Sequence, residues 1–350
     1  MKTATHFASA FQWSRKERVG WRTIVVAAIG MAVPALAGLA AGQLAIGFNI
    51  GLGAMLFTSG PAEEGAEQPS QLSAVAPALL AVAAATLTAG EPWSGAVAIA
   101  LAAVAAMTSG YSRPVAVGAI RFIVYLMLCA SLLESAGAHR GGAALLFGAG
   151  ALWNMAIRAM LGGRRVPAPA PPGARPQPTP TQRRAYFRRT LNTLAGWQFP
   201  IRIAAGLALA KAVRLLWPSH HFGWVVLTVA LLTQRPLEHF PVKITQRALG
   251  TLAGVTATWA VLAAQPSPLG LALLVCLAAI VAPFARAGNY LVWSAITSPV
   301  ILMVMDIGRP VAPEMLTDRL AATLIGAGIV LLGNFLMARW TGYRAHRAPG

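Results

Sequence analysis

Apolar stretches of helical length follow one another along this chain, at residues 23–43, 46–59, 72–89, 93–110, 114–134 and 142–161. As helices rising about 1.5 Å per residue, each crosses or nearly crosses a hydrocarbon core of about 30 Å. The stretch 46–59 is short and reads as a half-span or a span in a thinned region. Residues 164–189 break the pattern. Seven prolines from Pro167 to Pro180 are interleaved there with Ala, Gly, Gln and Arg, a composition that buries no core and predicts an extended, polyproline-like linker. Apolar stretches resume at 199–217, 222–233, 246–264, 269–285, 291–305 and 320–338. Six and six predict an all-α integral membrane protein of about twelve transmembrane helices. The expected organisation is a basic segment 1–22, a first membrane repeat 23–161, a linker 162–198, a second membrane repeat 199–338 and a basic tail 339–350.

Composition agrees and excludes other classes. The 350 residues carry a formal charge of +18, yet only 11% are charged and 57% are hydrophobic. A soluble nucleic-acid binder of that charge would need many more polar residues, so a water-soluble fold and a nucleic-acid partner are not expected. More than half of the 28 Lys and Arg lie in the N-terminal segment, around the linker or in the tail. This basic excess in the connections places the N-terminus, the linker and the C-terminus on the cytoplasmic side of the membrane, in contact with anionic lipid. The acidic loop of Glu63, Glu64 and Glu67 falls on the same side, where acids carry little topological weight. Cys129 and Cys276 lie inside apolar stretches without CxxC spacing, so neither a disulfide framework nor a cysteine metal site is expected. His220 and His221 have no third ligand nearby in sequence. With no P-loop, no HExxH and no nucleophile beside a base, neither a cofactor nor enzymatic activity is expected.

The halves resemble one another when displaced by half the chain. Gly47-Phe48-Asn49 falls on Phe222-Gly223-Trp224, and Phe57-Thr58-Ser59-Gly60-Pro61 falls on Leu232-Thr233-Gln234-Arg235-Pro236. An even number of spans per half makes the repeats parallel, related by an axis along the membrane normal.

Within the second half, Arg247, Gly250, Thr251 and Gly254 share one helix face, and the spacing returns as Arg319, Ala322, Thr323 and Gly326. Small residues on such a face admit a close neighbour, and the threonine is placed to hydrogen-bond across the contact. Trp224 and Thr228, then Arg247-x-x-Gly250-Thr251-x-x-Gly254, then Phe284-x-Arg286-x-x-Asn289-Tyr290, then Asp318-Arg319-x-x-x-Thr323-x-x-Gly326, resemble the fusaric-acid-resistance (FUSC) superfamily. That superfamily includes bacterial aromatic carboxylic acid exporters and, more distantly, plant aluminium-activated malate transporters. The first half matches less well, with Leu72 and Ala144 opposite the two arginines. Two departures from the family pattern are the absence of a large cytoplasmic domain between the halves and Ala322 where an acid often stands. The resemblance implies export or conduction of organic anions.

Cations at membrane depth are therefore the candidate pathway residues. Lys211 lies about 18 Å into its apolar stretch and Arg214 one turn further; Arg121 lies about 10 Å into another. Arg247 and Arg319 carry the motif, and Arg235, Lys243 and Arg247 form a cationic entrance able to concentrate carboxylates. Arg202 reads as an interface anchor. Proton coupling needs an occludable acid, for which Asp306 and Glu134 at span ends are the candidates, Asp306 being equally able to pair statically with Arg309 or Arg319. The leading expectation is an inner-membrane exporter of small aromatic or other organic carboxylates, driven by the ion gradient, with its pathway between the repeats. A passive anion channel and a non-transport scaffold in envelope biogenesis are the alternatives. Membrane lipid and a small organic anion are the expected partners, with a periplasmic adaptor and a homo-oligomer left open.

Overall fold

The computed structural model describes residues 10–14, 19–58, 71–135, 140–161, 178–220, 222–237, 242–305 and 313–342. The first half contains α1 (Trp21–Ala40), α2 (Leu44–Thr58), α3 (Gln71–Leu87), α4 (Ser94–Thr108), α5 (Arg113–Ser135) and α6 (Arg140–Leu161). After α7 (Pro180–Leu191), the second half contains α8 (Leu194–Leu216), α9 (Gly223–Leu232), α10 (Val242–Ala263), α11 (Pro268–Gly288), α12 (Tyr290–Met305) and α13 (Pro313–Thr341). No strand occurs among the described residues.

Most of these helices are apolar on every side. One face packs inward through residues such as Met31, Leu52, Leu126 and Phe147, while Leu273, Leu277, Leu332 and Phe335 remain exposed outside. Helices that are hydrophobic all round belong in lipid. Among the described residues five are long and apolar enough to cross a membrane: residues 21–40, 113–131, 144–161, 268–288 and 316–341. The protein is thus an all-helical, multi-pass membrane protein. Shorter apolar helices stand between these, and α9, with 10 residues, is the shortest. At about 15 Å it reaches only half-way across a hydrocarbon core.

The helix contacts have an internal correspondence. Helix α1 packs on α2, α2 on α6, α3 on α5 and α6, and α4 on α5; likewise α8 packs on α9, α9 on α13, α10 on α12 and α13, and α11 on α12. Across the seam, α1 meets α11 as α8 meets α4, and α2 meets α12 as α9 meets α5. Contacts at glycines set the direction of the neighbours. Gly250 lies against Ser294 and Gly254 against Pro299, so α10 and α12 run side by side in the same sense. Gly118 on α5 against Pro77 on α3 is the equivalent approach in the first half.

The end of the bundle where α8, α10 and α12 begin is rich in cations and is called the basic end below. Residues 10–14 pack there, with Ser14 N–H donating to Gly288 O at 2.7 Å, and Asn289 Nδ2 donating to Ala10 O and Gln12 O at 3.0 Å each. Two expectations need correction. Pro180–Leu191, expected to be extended linker, is helical, because Thr179 and Gln182 form a reciprocal capping box and Pro180 occupies the first turn without needing an N–H partner. Helix α8 starts at Leu194, five residues before the apolar stretch, so Lys211 stands near its far end, about 25 Å along the axis.

Candidate functional site

Two arginines lie wholly inside the second half. Arg247 is 1% exposed and Arg319 is 0% exposed. Arg247 sits in the second turn of α10, entering from the basic end, and Arg319 sits in the second turn of α13, entering from the opposite end. Helices α10 and α13 pack on one another, so the two arginines stand on neighbouring helices. The Arg319 guanidinium carbon lies 3.6 Å from the centre of the Trp224 ring, at the start of α9. In a desolvated setting such a cation–π contact contributes about 2 kcal/mol. It does not replace hydrogen bonds.

Those bonds are missing. Nε and Nη2 of Arg247, and Nε, Nη1 and Nη2 of Arg319, are buried without a hydrogen-bond partner. The hydroxyls of Thr228, Thr251, Ser294 and Ser298, on α9, α10 and α12, are also unpartnered. Tyr125 OH in the first half is unpartnered too, but several threonine hydroxyls of the bundle are satisfied. Thr58, Thr86, Thr233, Thr258, Thr297 and Thr323 each donate to the carbonyl four residues earlier. Burying a cation costs several kcal/mol unless it is paired, and an unsatisfied donor adds about 1–3 kcal/mol. Every unpartnered atom here is a donor, and the complementary ligand is an anion.

Close backbone approach holds the cluster together. A Cβ at Gly250 would come within 2.7 Å of Ser294 Cβ, and one at Gly326 within 2.8 Å of Thr228 Cβ. One at Gly254 would come within 2.7 Å of Ala295 O. Glycine at these positions lets α10 lie on α12 and α13 on α9, bringing the hydroxyls next to the arginines. The threonines act differently from expectation. Thr323 Oγ1 donates to Arg319 O in its own helix at 2.9 Å, and Thr251 has no partner, so neither bonds across the contact.

The other candidate cations fall elsewhere. Lys211 and Arg214 are half-buried at the seam, lining a cavity of about 240 Å³ between α3, α4 and α5 of the first half and α8 and α9 of the second. Arg121 stands 5.6 Å from the Phe57 ring centre, and Arg158 stands 5.9 Å from the same ring. Arg235 and Lys243 are exposed, so the expected entrance cluster separates from the buried Arg247. Asp306 and Glu134, with Arg309, lie outside the residues whose side chains are described. The buried acid Asp318 bonds His220 Nδ1 at 2.8 Å.

Arg202 shows how an arginine is buried for structure alone. It is 5% exposed, and its Nη1 donates to Asn334 Oδ1 at 2.6 Å. Nη2 donates to Gln234 O at 2.8 Å and to Arg235 O at 3.0 Å. It ties the end of α9 to α8 and α13 and is no interface anchor. Ser294 and Ser298, one turn apart on an apolar helix, were missed by sequence reasoning although that spacing was visible.

Residues 204–333 match the family model described as fusaric acid resistance protein-like, so over that span, which contains Trp224, Arg247 and Arg319, the chain is similar to this family. No curated protein and no solved structure matches the chain.

Proposed function

We propose that the chain exports small organic carboxylate anions, aromatic ones foremost, across a bacterial inner membrane, driven by the ion gradient, with both termini cytoplasmic. The observation that carries this reading is the pair of buried, hydrogen-bond-deficient arginines surrounded by unpartnered hydroxyls. A carboxylate accepts two parallel N–H bonds from a guanidinium, and such charge-assisted bonds are about twice as strong as neutral ones. The anion enters from the basic end, where Arg235, Lys243 and Arg286 are exposed. It then binds Arg247 and passes to Arg319. Repulsion between the two arginines favours one anion shared or handed on, because a carboxylate near both relieves it. Trp224 offers its ring beside the second arginine, which suits an aromatic acid.

We place this path in a scaffold of about twelve membrane-embedded helices arranged as two parallel repeats. The contact correspondence between α1–α6 and α8–α13 fits that arrangement. The path runs within the second repeat instead of along the seam, since that is where Arg247 and Arg319 lie. Asp306 and Glu134 remain the proton-coupling candidates. The passive channel is the second reading, favoured by Asp318 being the one buried acid among the described residues and already engaged by His220.

Liposomes holding the purified chain and labelled benzoate test both readings. Under the exporter reading, an imposed pH gradient drives accumulation against the benzoate gradient and a protonophore abolishes it. Downhill flux that ignores the protonophore would establish the channel. No flux of benzoate or any other organic acid would remove transport altogether.

A further inference from the structure

Residues 10–14 are tied to the basic end beside Arg247. Gln246, the residue before Arg247, donates from Nε2 to Ala10 O at 3.1 Å. Asn289, in the turn between α11 and α12, donates from Nδ2 to Ala10 O and to Gln12 O at 3.0 Å each, and Ser14 N–H donates to Gly288 O at 2.7 Å. The segment thus bridges the starts of α10 and α12, the two helices that carry Arg247, Thr251, Ser294 and Ser298. Two buried amides give their donors to the backbone of a segment far away in sequence.

The hold is shallow. Of residues 10–14 only Ala10 is buried, while Phe11 is 63% and Trp13 54% exposed. All of these bonds are between neutral groups, the weaker class beside charge-assisted ones. The Trp13 ring lies against Gly288, where the three atoms nearest to an added Cβ all belong to that ring. A segment bound through its backbone, with its large side chains in the open, can lift without unpacking the helices beneath.

We propose that residues 10–14 are a strap that closes the basic-end approach to Arg247 and lifts to admit the anion. In the closed state the Ala10 and Gln12 carbonyls point acceptor oxygens at the mouth and occupy the amide donors of Gln246 and Asn289, which repels a carboxylate. Lifting frees both amides to donate to an arriving carboxylate next to Arg247. Asn289 Oδ1 also accepts from Leu291 N–H at 2.7 Å, so the cap of α12 survives the movement. The identity of the anion rests on the exporter reading; the closure rests on the geometry.

Access to the site is read by labelling, which needs no transport. In nanodiscs holding the full chain with Cys129→Ala, Cys276→Ala and Ser294→Cys, an anionic methanethiosulfonate reagent modifies the introduced thiol when it reaches the hydroxyl cluster. Gly288→Ala pushes the Trp13 ring, and with it the strap, off its seat. Asn289→Ser removes both amide donors and keeps a capping oxygen for α12. Each should speed labelling about tenfold, the scale of one or two neutral hydrogen bonds. Trp13→Ala, at an exposed side chain, substitutes for either variant should it fold poorly. No labelling in any variant, or rates that the folded variants leave unchanged or slowed, overturns the proposal. Benzoate flux by the unsubstituted chain is scored separately. Absent flux with accelerated labelling removes the exporter reading and leaves the strap, whereas flux with unchanged labelling does the reverse.

Discussion

The two halves share a pattern of helix contacts but fill their interiors differently. Displacing the second half by half of the 350 residues puts Leu72 under Arg247, Ala144 under Arg319, Gly53 under Thr228, Ala76 under Thr251, Ala119 under Ser294 and Ile123 under Ser298. Every polar position of the candidate site has an apolar counterpart. Of these first-half positions Gly53, Ala119, Ile123 and Ala144 are buried as ordinary core, while Ala76 is exposed. Its polar groups gather instead toward the end of α2. There Asn154 Nδ2 donates to Ala54 O and to Thr58 Oγ1, and Arg158 Nε donates to Asn154 Oδ1 at 2.8 Å. The first half is the better satisfied one: its unpartnered buried groups among the described residues are Tyr125 OH and Trp153 Nε1, against five arginine nitrogens and four hydroxyls, with Trp293 Nε1, in the second. Unsatisfied donors are costly to fold, and their concentration in one half marks where a ligand contributes.

The largest expected effects come from making the second half resemble the first. Arg319→Leu, and separately Arg247→Leu, should cut benzoate flux on the order of 100-fold, the usual scale for losing a buried charge partner. The same substitutions should raise thermal stability in detergent without ligand by about 1–4 kcal/mol, because an unpaired buried cation is replaced by packed hydrocarbon. Flux and stability moving in opposite directions separates a ligand site from a structural arginine. Should both fall together, the arginines hold the fold and the anion-site reading fails. The reciprocal change, Ala144→Arg, should destabilise the first half by several kcal/mol, since no hydroxyl cluster receives the charge there.

Arg202→Ala sharpens the contrast from the other side. This arginine is satisfied by Asn334 Oδ1 and by two carbonyls at the end of α9. Its removal should cost about 3 kcal/mol and strand those acceptors. Flux per correctly folded protein should change little, as shown by normalising to the monodisperse fraction. A specific loss of flux in folded Arg202→Ala would place the pathway at the end of α9.

Much of the framework was legible in the sequence, because apolar stretches and prolines act locally. The apolar stretches from 46, 114 and 269 lie within two residues of the helix starts at Leu44, Arg113 and Pro268. The helix at Pro180–Leu191 was not, since its stability comes from a four-residue cap hidden in a proline-rich composition. In the site, the spacing Arg247-Gly250-Thr251-Gly254 was readable because it is one helix face. The meeting of Arg319 with Trp224, and of Gly326 with Thr228, joins residues nearly a hundred positions apart. A single sequence carries no record of that pairing. Nor did it distinguish Arg202 from Arg319, two buried arginines that differ only in what surrounds them.

Close packing gives a smaller test. Gly250→Ala would drive a Cβ to 2.7 Å from Ser294 Cβ and against the Leu291 carbonyl, both on α12. Backbone cannot yield cheaply, so α10 and α12 should separate, at a cost of about 1–3 kcal/mol seen in thermal unfolding. The first half carries Val75 at the matching position and tolerates it. An undisturbed Gly250→Ala would mean that the two helix pairs do not differ in spacing.

The finest comparison is a single hydroxyl. Thr228 is fully buried on α9, its Oγ1 has no partner, and its Cβ abuts Gly326. Thr228→Val keeps the shape and removes the donor. If the hydroxyl serves only the fold, its deletion should be neutral or stabilising by about 1 kcal/mol, because a desolvated and unsatisfied group disappears. If it faces the anion, benzoate affinity should also fall by a few-fold, the scale of one neutral hydrogen bond. Thr323→Val is the control, since that hydroxyl already donates to Arg319 O within its own helix and has no donor to offer a ligand. Loss of affinity in the first variant and not in the second would assign the ligand to the α9 side of Arg319. Equal behaviour of the two would place it on the α10 and α12 side, where Ser294→Ala and Ser298→Ala should show the loss instead.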